Sequence, residues 1–213
     1  MEILRIGVGN LATICSNVLK PIIVNGKPLK SVNQYYNKQL AKLKSELKNE
    51  KKTSKRIKSL TAKRNNKVND YLHKSSRLIV NYLVSNNIST LVIGKNKEWK
   101  QNANIGKRNN QNFIQIPHTR FIEMLTYKCK LEGITVIVKE ESYTSKCSFM
   151  DNEPIKKHKV YLGKRVKRGL FQTKEKRLIN ADLNGSLNIL RKVVGEFQYP
   201  IEVCSTPLVL TIK

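Results

Sequence analysis

A mixed α/β fold is what this sequence predicts, on three observations. Short, β-branched runs fill the first 24 residues. Two stretches with apolar residues at three- and four-residue spacing follow, and after them apolar strand-like runs alternate with helical patterns. At 213 residues the chain is long enough for one well-buried domain, or for a small domain with an appendage.

Taken in order, Ile3 to Val8, Leu11 to Ser16 and Pro21 to Val24 read as an antiparallel meander, with a turn at Asn25-Gly26. Asn33 is placed to cap a helix through Tyr36, Leu40, Leu43 and Leu47, whose other faces carry Lys42, Lys44, Glu46 and Lys48, so this helix belongs on a surface. After a charged break at Asn49 to Thr53, Ser54 caps a longer helix through Ile57, Leu60, Val68, Leu72, Ile79 and Leu83. Thr90 to Ile93 is a buried strand and Lys95 to Asn112 a polar surface loop. Pro117 opens a helix with Phe121, Met124, Leu125 and Cys129, which Gly133 ends before a strand from Ile134 to Glu140. Lys146 to Lys176 reads as a loop-like basic insert, and Leu183, Leu187 and Leu190 mark a final helix. The tail from Phe197 to Lys213, with Pro200 and Pro207, has no periodicity and reads as irregular. Three strands, then helix, strand, helix, strand, helix is the element order of the ribonuclease H-like fold, which does not by itself imply nuclease action.

Lys and Arg number 41 against 15 acids, a formal charge of +26. That excess points to a polyanion, nucleic acid before a membrane surface. No run approaches the 18 apolar residues of a spanning helix and no signal-peptide core follows Met1, so a cytoplasmic, non-membrane protein is expected. Lys51, Lys52, Lys55, Arg56, Lys58, Lys63, Arg64 and Lys67 crowd the start of the second helix without an intervening acid. A solvated face explains such runs in general, but the mutual repulsion of these cations is relieved by phosphates, so DNA or RNA contact is favoured here. Lys107 and Arg108 in the loop, and Lys164, Arg165, Lys167 and Arg168 in the insert, extend the candidate interface. Trp99 either stacks on a base or anchors its loop.

Cys15, Cys129, Cys147 and Cys204 stand far apart with no Cys-x-x-Cys pair, so structural zinc is not expected and all four read as free thiols. His158 has no Cys or His partner nearby and reads as solvent-facing. Asp182 lies in the first turn of the last helix among Asn and Ala neighbours. It either complements the helix dipole or offers carboxylate oxygen to a hard cation. Glu140 and Glu141 end the preceding strand, where a pair of acids reads as solvent-facing charge.

Several blocks together resemble the TnpB (OrfB) family of transposon-encoded, RNA-guided nucleases related to type V CRISPR effectors. They are Asn10 to Thr13, Lys30 to Asn37, Lys63 to Asn66, Leu91 to Asn96, Gly106 to Asn112, Glu141 to Lys146 and Arg177 to Leu190. The resemblance implies a RuvC-like nuclease domain, DNA and a guide RNA as partners, and two Mg²⁺ ions held by acids. Registering Gly7 to Thr13 on the family pattern places Arg5 where the first acid belongs, and Gly94-Lys95 where the second usually sits. Glu141, with Glu140 as alternative, is then the relocated second acid and Asp182 the third. A guanidinium cannot ligate a metal, so Mg²⁺ binding is expected to be weak or absent and cleavage impaired. Glu2, three residues from Arg5, faces the other side of the strand and is a poor substitute. Relatives often carry a zinc ribbon after Thr-Ser; here only Cys147 stands in that place, so the insert reads as a degenerate version.

The implied organisation is a nuclease core over 1–145 with a basic helical insertion near 33–87, the insert over 146–176, the last core helix over 177–195, and the tail over 196–213. The family's N-terminal region would precede Met1, so the chain is expected to be a shortened, C-terminal copy. The reading from another class is a non-catalytic nucleic-acid-binding protein. Oligomeric state is not readable from the sequence.

Overall fold

The computed structural model describes residues 2–7, 9–16, 19–48, 51–95, 115–200 and 207–212. Its centre is a six-stranded mixed sheet in the order β5-β4-β1-β2-β3-β9. β1 (Glu2–Ile6), β2 (Asn10–Ser16) and β3 (Ile22–Asn25) form the antiparallel meander, and β4 (Thr90–Gly94) and β5 (Thr135–Lys139) add in parallel beside β1. Arg5 lies opposite Thr13 on one side and Gly94 on the other.

Alternation along β1 divides its side chains between two cores. Leu4 and Ile6 join α1 (Lys27–Ser45), α2 (Lys55–Ser85) and α3 (His118–Leu131) in the larger one, where Leu29, Leu72, Ile79, Leu83, Phe121 and Leu125 are almost wholly buried. Ile3 and its neighbours Cys15 and Val92 pack on the other face against α4 (Ala181–Val194) through Leu183, Leu187 and Leu190. Four helices are formed among the described residues.

Ser54 caps α2 as the sequence predicts, its hydroxyl accepting from the Ile57 amide at 3.2 Å. α1 departs from expectation, starting at Lys27 and not at Asn33. Pro28 in its first turn lacks an N–H that the helix start would leave unpaired anyway. Asn33 is instead a buried mid-helix residue whose Oδ1 accepts from Arg64 Nε at 2.8 Å.

The insert also differs from a loop. β6 (Lys164–Lys167) and β7 (Leu170–Gln172) make a hairpin that turns at Gly169, φ +78°, and β8 (Leu178–Asn180) completes a three-stranded antiparallel sheet. Carboxylates hold this insert together. Glu153 accepts the amides of Ser148 at 2.7 Å and Leu162 at 2.9 Å, while Asp151 accepts the Lys174 amide at 2.9 Å. Asn184 and Asn188 of α4 bind the Cys147 carbonyl, and Arg191 donates to the Glu153 carbonyl, so helix and insert form one unit. The tail is not wholly irregular either: β9 (Leu208–Leu210) pairs in parallel with β3, Ile22 opposite Leu208.

Candidate functional site

The sheet and α4 bring three of the residues singled out by sequence into one pocket. Asn180 caps α4, its Oδ1 accepting the amides of Asp182 at 2.9 Å and Leu183 at 3.1 Å, which aims the Asp182 side chain from the first turn towards the end of β1. Arg5 Nη1 donates to Asp182 Oδ1 at 2.7 Å, and Asn10 Nδ2 donates to Asp182 Oδ2 at 2.7 Å. Glu141, two residues beyond β5, turns inward and places Oε2 3.6 Å from Arg5 Nε, an ion pair without a hydrogen bond on either atom. One guanidinium therefore bridges both carboxylates.

Two glycines make room for this. A Cβ on Gly94 would stand 3.0 Å from Glu141 Oε2 and 2.7 Å from Ile189 Cδ1, and one on Gly185 would stand 2.8 Å from Arg5 Nε. Glu141 is only 6% exposed. Burial raises its pKa above the ordinary carboxylate range, Arg5 pulls it down, Asp182 pushes it up and Lys192 lowers it slightly. Glu140 is exposed and lies outside the pocket, its carbonyl 3.4 Å from Lys192 Nζ. Glu2 points into the opposite core beside Leu4 and Ile6, where burial pushes its pKa to about 7 against a smaller opposing effect of the Ser16 hydroxyl.

The donor set does not fit a divalent cation. Two carboxylates are engaged by a guanidinium that carries no lone pair for a metal, and the described residues contain no group of three or more His, Cys, Asp or Glu able to hold one. Cys147 is buried, its Sγ directed at the carbonyls of Pro154 at 3.4 Å and Lys156 at 3.6 Å. Cys15 and Cys129 are buried and form no disulfide among the described residues, and Cys204 lies outside them. His158 is half-buried, with Nε2 at 2.7 Å from the Pro154 carbonyl and its ring edge-on to Tyr161.

Cations gather at the pocket mouth. Arg165 Nη2 stands 3.7 Å from Asp182 Oδ1. Arg168 and Lys30 both lie over Gly9, and desolvation first, then Arg168 and Lys27, lower the pKa of Lys30. Lys51, Lys52, Lys55, Arg56, Lys58, Lys63 and Lys67 are exposed along the start of α2, and Lys164, Arg165, Lys167 and Arg168 are exposed on the insert hairpin. Arg64 is the exception, because its guanidinium binds Asn33, the Gln115 carbonyl at 2.6 Å and Asn65, so its place is between helices and not on a free surface. Lys107, Arg108 and Trp99 lie outside the described residues. Nothing in the sequence marks a role for Asn10, Lys27 or Lys30; the hairpin return from β1 to β2 is what carries Asn10 to Asp182.

Two family models match the chain. A probable transposase of the OrfB_IS605 type matches residues 5–100, and the Cas12f1-like TNB domain matches residues 118–189. No curated protein matches it. Among solved structures, a Cas12f1 in complex with sgRNA and target DNA is similar with a TM-score of 0.65 and 19% identity, over 88% of this chain and 48% of that one. A CRISPR-Cas12f ternary complex gives 0.61 and 17% over 88% and 38%, and Alicyclobacillus acidoterrestris C2c1 with single-guide RNA gives 0.51 and 16% over 78% and 20%. The chain thus spans about half the length of these proteins or less. The matches support a TnpB-like family, and these neighbours fit a RuvC-like fold. The transposase match lies on the N-terminal part of this chain, so it does not carry the expectation that only the family's later half is present. No helix among the described residues is long and apolar enough to cross a membrane.

Proposed function

We propose that this chain is a TnpB-type, RuvC-like domain that engages DNA and a guide RNA, and in which Arg5 has closed the acid pocket, so that binding persists while Mg²⁺-dependent phosphodiester cleavage is weak or lost. The observation that carries this reading is the Arg5 guanidinium held at 2.7 Å from Asp182 and 3.6 Å from Glu141. A unit charge about 4 Å from a fixed guanidinium costs on the order of 4 kcal/mol at a surface-type dielectric, and a divalent ion about twice that, enough to remove most of its affinity.

What remains is electrostatic capture. Lys27, Lys30 and Arg168 approach one another near the pocket mouth, an arrangement that phosphate oxygens neutralise. Arg5 then serves as the counter-charge that lets Glu141 and Asp182 sit together without a metal, and no zinc is needed where Glu153 already ties the insert. Salt-sensitive, largely sequence-independent affinity is the expected outcome, together with a cytoplasmic role alongside transposon DNA.

The test is Mg²⁺ titration by calorimetry, with cleavage of single- and double-stranded DNA, on three proteins: the chain as it is, Arg5→Asp, and Arg5→Asp with Asp182→Ala. Mg²⁺ binding is expected only for Arg5→Asp. Robust Mg²⁺-dependent cutting by the unaltered chain overturns the proposal. Equal, absent metal binding in all three favours the second reading, a binding protein whose acid pocket has no catalytic capacity to restore.

A further inference from the structure

Away from the acid pocket, α1 and the first half of α2 enclose an open groove of about 760 Å³. Its floor is fixed. Tyr36 has its hydroxyl 3.2 Å from Thr61 Oγ1 and its ring under the Arg64 guanidinium at 5.7 Å, which makes a flat, rigid surface between the helices. Tyr35, the preceding residue, is 63% exposed, more than any other aromatic side chain among the described residues. Val32 and Leu60 supply apolar walls, while Arg56, Lys63 and Lys67 stand exposed along the rim with no acid among the groove's residues.

Exposed aromatic surface costs solvation free energy unless something covers it, and a rim of three cations without an acid selects a polyanion over an apolar peptide. Base faces and phosphates together answer both demands. Duplexes keep their base faces stacked inside, so the ligand is single-stranded. Ser31, Ser59 and Asn66 add neutral donors and acceptors to the lining, the partners that a ribose 2′-hydroxyl requires. The charge is also continuous: Lys30 lies five residues before Tyr35 on α1, about 7.5 Å along the axis, and reaches Arg168.

We infer that the α1–α2 groove is a binding site for single-stranded RNA, with a base stacked on Tyr35 and its neighbouring phosphates on Arg56, Lys63 and Lys67. The site uses no residue of the acid pocket and stands whether or not that pocket can be repaired.

Fluorescence anisotropy of the full chain with a labelled 12-nucleotide oligo(A) RNA tests it. Tyr35→Ala should weaken binding roughly fivefold or more, while Tyr35→Phe stays within about twofold. Lys63→Gln with Lys67→Gln should flatten the logarithmic salt dependence by about 1.4, at about 0.7 per released phosphate contact. Oligo(dA) of the same length should bind several-fold more weakly, and Tyr127→Ala, at an exposed aromatic outside the groove, should leave RNA affinity unchanged. Wild-type affinity in Tyr35→Ala overturns the site. Equal binding of oligo(dA) overturns the assignment to RNA. Tyr35 is exposed and makes no core contact, so a loss of binding with an unchanged thermal midpoint reports the groove and not misfolding.

Discussion

Two clusters of carboxylates meet the same helix and are built on opposite principles. At the insert, both oxygens of Glu153 accept backbone amides, and the residue is 2% exposed. At the pocket, Glu141 is nearly as buried, yet its Oε2 has no hydrogen bond and faces a guanidinium whose Nε has none either. Burial is therefore the same and bonding is not. Amides fixed by chain connectivity make a carboxylate part of the scaffold; a single side-chain cation leaves one as a site whose counter-charge one substitution can change. Arg5 at the strand end stands as that occupant.

The contrast fails or sharpens at three points. The largest effect belongs to Glu153→Ala, which leaves two amides without their acceptor; the expected loss is about 3 kcal/mol, or roughly 6–12 °C in thermal midpoint for a chain of this size. Hydrogen exchange should locate it in β6 to β8, and an effect below about 1 kcal/mol would remove the insert's claim to be carboxylate-stapled.

Arg5→Ala should be smaller and depend on pH. Burial raises the folded pKa of Glu141 above its unfolded value, so its protonated form favours the fold: stability is full below the ordinary carboxylate pKa and falls as pH rises through the raised one. Arg5 opposes that rise, and removing it enlarges the fall. Urea midpoints should show little deficit near pH 4 and about 1–3 kcal/mol at pH 8. A deficit independent of pH would show that Arg5 acts by packing, and adding Glu141→Gln should abolish the dependence.

Gly185→Ala should change stability least. The new methyl would stand 2.8 Å from Arg5 Nε and 3.1 Å from its Cδ, so the guanidinium must shift, but helix propensity returns up to about 1 kcal/mol. A net change within about 1 kcal/mol is expected, accompanied by a weaker version of the pH dependence of Arg5→Ala, while β6 to β8 keep their exchange protection.

The elements legible from sequence are those whose pattern is their own. β1 to β4, α2 and α3 each carry an apolar period, and Ser54 marks its helix start in four residues. α1 was misplaced because Asn33 imitates a cap while its partner, Arg64, is 31 residues away. β6 is exposed throughout and offers no alternation to read; Gly169 is its only local mark. At the site, Arg5, Glu141 and Asp182 are legible through the family resemblance, whose pattern registers them on its acid positions, and strand parity puts Glu2 on the far face. Asn10 was not, since its role depends on the β1–β2 return, and the Tyr35 groove exists only once two helices lie side by side.

β9 has a consequence for the time course of folding. Leu208 to Leu210 close the β3 side of the sheet by pairing with Ile22 to Val24, across a very long separation in sequence. During synthesis the meander is complete once Asn25 has been made, but its outer strand keeps unpaired amides and carbonyls until Leu208 to Leu210 follow. Contacts of such long separation form late. Until β9 arrives that border stays open beside a highly positive surface, and a formal charge of +26 opposes edge-to-edge association of neighbouring copies.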